Sequence, residues 1–170
     1  MREGFDGDDF ERAVAYVSAD PSPRGLVERI GVDWEYLSRL AVDAAACVLG
    51  EREERRGEVV SHTGEAFTAG FLIGVHLGGE PRAEAGRLPS AVDQVKGRGR
   101  HAVIADHCDL ASVARLETVY SAALVESMSI ASAERDALLS PVTRVFETGL
   151  AVGLELRSGG DEGRPGAEQP

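Results

Sequence analysis

Lysine is nearly missing from this chain: of its 18 basic side chains, only Lys96 is not an arginine. Aromatic residues are scarce as well, at 5%, so the packing falls to Leu, Val, Ala and Gly rather than to large rings. Two cysteines, Cys47 and Cys108, are too few for a disulfide framework, and no Cys-x-x-Cys or His-Glu-x-x-His spacing marks a metal site. Apolar runs are short. The longest, 66–77, is broken by Thr68 and His76 and falls short of the roughly 20 residues of a membrane-spanning helix. The first residues are acidic, with no apolar stretch behind them. No secretory signal is read, and the expectation is a cytoplasmic protein with reduced thiols and no membrane partner. A phosphate-cradling loop ending in Lys-Ser or Lys-Thr, a Gly-x-Ser-x-Gly elbow and a dinucleotide fingerprint are all missing, which excludes nucleotide enzymes and α/β hydrolases.

What is present is acid. Asp and Glu number 29, the net charge is -11, and such a field repels phosphate backbones and anionic lipid, so nucleic acid is disfavoured as a partner. An acidic chain with almost no lysine is similar to proteins of extreme halophiles, whose acidic surfaces hold hydrated cations. A GC-rich genome that writes Arg for Lys leaves the same mark. At 170 residues and 43% hydrophobic content, the chain has material for one domain with a real core.

The apolar spacing is helical throughout. Residues 1–7 and 158–170 are polar and read as frayed tails around a single helical domain, 8–157. Asp8 or Asp9 caps a first short helix. Ser22, with Pro23 at the first helical position, caps a second. Asp33 opens a longer helix with Trp34, Leu37, Ala41, Ala44 and Val48 on one stripe, closing in a charged turn that contains a Glu51–Arg55 pair and stopping at Gly57. Ser61 or Thr63 caps the next, which stops at Gly78-Gly79. Residues 80–100 read as a basic linker with one helical turn after Ser90. The short run 101–106 fits strand or buried helix, with helix preferred. Asp109 caps a long helix, and Ser140-Pro141 starts the last one.

An internal repeat organises these elements. At an offset of 79 residues, Phe67, Gly70, Phe71 and Gly74 fall on Phe146, Gly149, Leu150 and Gly153, and Leu37, Leu40 and Ala41 fall on Leu116, Val119 and Tyr120. The fold expected is an all-α bundle of two tandem αα-hairpins, about 33–79 and 109–158, with short leading helices. Each interior glycine costs a helix about 1 kcal/mol against Ala. Gly70 with Gly74, and Gly149 with Gly153, therefore suggest faces where two helix backbones approach closely. Phe67, Phe71, Phe146 and Leu150 flank these faces. The two helices are expected to cross each other there, or to cross copies of themselves in a second subunit. The competing reading is that the glycines relieve crowding around the phenylalanines.

Three sets of residues carry possible chemistry. His101, Asp106, His107, Cys108 and Asp109 are all metal-ligand types, but on a helix His101, His107 and Cys108 do not converge, and a structural role is preferred. Glu51, Glu54 and Glu58 have the spacing of helical metal-dependent hydrolases without the second acidic pair, and read as a solvated charge run. Residues 25–40 look like a helix-turn-helix, whose reading helix would present Trp34, Tyr36, Ser38 and Arg39. Asp33 and Glu35 at its leading end would meet phosphates or base edges, which argues against it. Lys96-Gly-Arg-Gly-Arg100 suits a phosphate clamp less well than it suits docking on the acidic body of its own chain. The leading functional expectation is a non-catalytic helical binding or assembly module, a homo-oligomer or the holder of a protein partner, with no cofactor. The alternatives are a DNA-binding regulator using 25–40 and a metal-dependent enzyme at His101–Asp109.

Overall fold

The computed structural model describes residues 4–50, 56–79 and 85–159. They form eight α-helices: α1 (Gly7–Ala19), α2 (Pro23–Arg29), α3 (Trp34–Leu49), α4 (Arg56–His76), α5 (Leu88–Arg98), α6 (Arg100–His107), α7 (Leu110–Ser127) and α8 (Ser132–Ser158). Helices α4 and α8 make the most extensive contact in the molecule. Around them, α1, α2 and α3 lie against α4, while α5, α6 and α7 lie against α8. The core holds Phe67, Phe71, Leu72 and Val75 from α4 and Val145, Phe146, Leu150 and Leu154 from α8, all buried.

Side-chain caps set several of the boundaries. Asp6, not Asp8 or Asp9, caps α1: its carboxylate accepts from the N–H groups of Asp8 and Asp9, and Asp9 in turn accepts from the Asp6 N–H at 3.0 Å. This reciprocal box satisfies donors that a helix start otherwise leaves orphaned. The hydrogen bond from the Asp6 backbone is the main reason the Asp9 carboxyl is held below its ordinary range. Ser22 and Asp33 cap α2 and α3 through the N–H groups of Gly25 and Glu35.

Several expected boundaries move. The leading tail was expected to run through residue 7, yet Phe5 donates its N–H to the His107 carbonyl and accepts from the Asp109 N–H, both at 2.8 Å, so the chain is anchored from there on. Helix α3 stops at Gly50, whose φ of 65° suits a residue without a Cβ. Gly57, expected to end it, lies in the first turn of α4, and Ser61 and Thr63, expected as caps, lie inside that helix, with Thr63 buried. The Glu51–Arg55 pair, with Glu54, lies outside the described residues.

The basic linker is also corrected. Residues 88–98 are helix α5, with Leu88, Ala91, Val92 and Val95 buried as one stripe. Pro89, which argued for a linker, sits in the first turn, where a missing N–H costs nothing. Residues 100–107 are helix, so the helical preference for 101–106 holds. Helix α8 starts at Ser132 rather than Ser140 and runs through Pro141; a long packed helix tolerates the loss of one internal hydrogen bond. Among the described residues α8 is the one helix long and apolar enough to cross a membrane, and its apolar sides are covered by α4, α5, α6 and α7.

Candidate functional site

The four glycines meet inside one chain. A Cβ built on Gly74 would lie 2.6 Å from the Leu150 carbonyl oxygen, and one on Gly70, Gly149 or Gly153 would overlap the carbonyl oxygen of Phe146, Phe67 or Phe71. These partners are backbone atoms, which cannot swing aside as a side-chain tip can. Helices α4 and α8 therefore touch main chain to main chain. Phe71, Phe146 and Leu150 are wholly buried beside the crossing and Phe67 nearly so. Arg157 locks the far end, donating from Nη1 to the carbonyls of Val75 at 2.8 Å and Gly79 at 3.2 Å.

The helix-turn-helix candidates are mostly turned inward. Helices α2 and α3 are joined through Gly31, with φ 78°, and the buried Val32. Trp34 and Tyr36 pack against the core, Ser38 is half-buried, and Arg39 alone of the four is exposed, with Asp33 and Glu35 exposed beside it. A reading helix must offer its leading side chains to the groove, and here two carboxylates hold that position.

The metal candidates separate. His101, at the start of α6, has its side chain 73% exposed and its Nε2 3.8 Å from Glu147. His107, at the other end, meets the Ser158 hydroxyl at 3.3 Å. Cys108 is buried and bridged through its backbone to Phe5, and burial first, then the charges of Asp109 and Asp9, push its thiol up to about 12. Among the described residues no three His, Cys, Asp or Glu side chains group as a metal site. A thiolate is the reactive form of cysteine. A maleimide at neutral pH is therefore expected to label the exposed Cys47 in the native protein and Cys108 only after denaturation; native labelling of both thiols, counted by mass, would contradict the burial.

Arg98 and Arg100 are drawn onto the chain's own acid. Arg98 binds Asp106 and, at 2.8 Å, Glu155. Arg100 donates from Nε to Glu147 at 2.6 Å. That last pair stands in a cleft of about 460 Å³ lined by Arg100, His101, Leu139, Thr143, Arg144 and Glu147. Nearby the hydroxyls of Ser121 and Thr143 bond across α7 and α8 at 2.8 Å. Glu147 is only 8% exposed. Beside it the Oε2 of Glu117 is buried without a hydrogen-bond partner. Burial, then the neighbouring Glu147, push the Glu117 carboxyl up to about 7, against the opposing pull of Arg100. As a carboxylate Glu117 can only accept; protonated, it becomes a donor to Glu147. The arrangement can store a proton near neutral pH and fix one arginine.

Sequence reasoning passed over Glu117, Glu147 and Arg144. The one available signal was a carboxylate at 147, set between Phe146 and the glycine pair of an apolar helix. No protein family matches the chain, and neither a curated protein nor a solved structure does.

Proposed function

We propose that this chain is a non-catalytic binding and assembly module of the cytoplasm, built from two tandem αα-hairpins and associating with itself through an outer helix face. Moved by 79 residues, the span of α3 overlies α7 and that of α4 overlies α8. The close contacts at the crossing exchange under the same shift: Gly70 meets Phe146 while Gly149 meets Phe67, and Gly74 meets Leu150 while Gly153 meets Phe71. An approximate twofold relation between the halves gives this reciprocity, and a duplicated hairpin accounts for it.

The glycine faces are used up inside the chain, so association needs another surface. The observation that carries the reading is the set of large apolar side chains that α7 and α8 leave in water, with Val119 70% and Leu110 57% exposed and Leu139 of α8 also exposed. Large apolar side chains held in water favour contact with a further surface. The helix-turn-helix and metal readings have no comparable observation behind them. Light scattering over a range of concentrations tests the proposal. A mass rising from 18.0 kDa toward a multiple of it is expected, more readily in salt, which screens the repulsion between acidic bodies; a monomer at every concentration and salt level would overturn it.

A further inference from the structure

The outer side of α7 has a pattern that selects its own copy. Ala111, Ala114, Arg115, Thr118, Val119, Ala122, Ala123, Glu126 and Ser127 are all exposed. Arg115, Thr118, Ala122 and Glu126 recur at spacings of three and four and form one stripe along the helix. The stripe has a positive end at Arg115, a negative end at Glu126, and small or apolar residues between. Val119 stands at its edge.

Resting on the assembly reading, we infer that the partner on this face is a second copy of the chain, with its α7 laid antiparallel on the first about a twofold axis between Tyr120 and Ser121. Arg115 and Glu126 lie equally far from that point on opposite sides, so the axis brings Arg115 against the partner's Glu126 and Glu126 against the partner's Arg115. The same axis sets Val119 over the partner's Ala122, a large side chain over a small one at the centre. Such pairs let two helices approach to about 8–10 Å. A parallel pairing would instead set arginine on arginine and glutamate on glutamate, so charge rejects it. The Arg115 head is exposed and donates to the Ser112 hydroxyl at 3.2 Å, a contact that a partner carboxylate can replace. With one charge of each sign the stripe is neutral on a body of net charge -11, so two copies approach there with less repulsion than over the acidic surface. Thr118 and Ala122 also border the Arg100–Glu147 cleft, so the second copy would wall its open side.

Sedimentation at low ionic strength on the full chain, with circular dichroism to confirm folding, tests this by charge exchange. Arg115→Glu and Glu126→Arg are each expected to weaken the dimer about tenfold or more, because each turns two attractive contacts into repulsive ones. The double exchange restores two opposite pairs and is expected to return the affinity to within about threefold of the parent, which is the signature of a direct pairing. A dimer that ignores the single exchanges, or that the double exchange fails to restore, overturns this register and leaves the assembly reading standing. A parent chain that stays monomeric at low ionic strength overturns this pairing, and one that stays monomeric at every concentration and salt level overturns both.

Discussion

Alanine at Gly149 is expected to destabilise the protein by about 3 kcal/mol, at the upper end of what overpacking costs, although alanine is the better helix former. Intrinsic propensity alone predicts the opposite sign, a gain of about 1 kcal/mol. The structure reverses it because the new methyl would occupy the place of the Phe67 carbonyl oxygen and crowd the Phe67 Cα at 3.0 Å. Relief requires one whole helix to move, and moving it opens gaps around Phe71, Phe146 and Leu150, which are wholly buried. Gly70→Ala, Gly74→Ala and Gly153→Ala should behave alike, and Gly74→Leu or Gly153→Leu worse. Gly57 and Gly97 supply the control: both are helical, and nothing lies within 4 Å of a Cβ at either. Alanine there should be neutral or stabilising by up to about 1 kcal/mol. Urea unfolding of the six alanine variants decides the matter. If Gly149→Ala unfolds like Gly57→Ala, the helices do not meet main chain to main chain. The sign also separates this account from simple relief of crowding around phenylalanine, since rings can shift by rotation and carbonyls cannot.

The all-helical architecture could be read from the sequence because its signals are local: an apolar residue every three or four positions, and Ser22, Asp33 and Asp109 as caps, each of which accepts the hydrogen bond expected of it. Where the reading failed, a local signal was outweighed by burial. Pro141 reads as a helix start, yet the turns before it already belong to α8, whose packed length absorbs one missing hydrogen bond. Pro89 and the glycines of 80–100 read as a linker, yet Leu88, Ala91, Val92 and Val95 bury a full stripe against the core. Gly57 reads as a stop, and in the first turn of α4 it costs too little to be one. The carboxyl cleft was not legible at all. Arg100, Glu117 and Glu147 come from three helices, so nothing in their spacing announces that they meet, and each alone has the composition of a solvated surface. The cysteine pair shows the same limit: Cys47 and Cys108 look alike as letters, and only the folded chain makes one exposed and the other buried.

That cleft gives the second large effect, a stability that falls as pH rises through the weakly acidic range. Glu117 keeps its proton up to about 7 in the folded chain, against an ordinary value of 4.5. Below 4.5 the group is protonated folded and unfolded, and it costs nothing. Between 4.5 and 7 the unfolded chain releases the proton while the folded chain holds it, so the unfolded state gains and stability declines with pH. Above 7 both are ionised and the full cost persists. The shift corresponds to about 3 kcal/mol unscreened, and roughly half of that is expected because Glu117 is only half-buried and water screens its field. Glu117→Gln removes the charge while its amide can still donate to Glu147. Relative to the parent the variant should be unchanged at pH 4, more stable from pH 5 upward, and about 1–2 kcal/mol more stable at pH 8. Taking the difference between the two proteins cancels the groups that titrate alike in both. A difference that is flat from pH 4 to 8 would mean that burial and Glu147 do not raise the Glu117 carboxyl. Because Glu117 lies on the inner side of the helix whose outer side carries Arg115 and Glu126, the same titration loosens the seat of α7 on α8, and the proposed dimer should weaken over the same pH interval in the parent but not in Glu117→Gln.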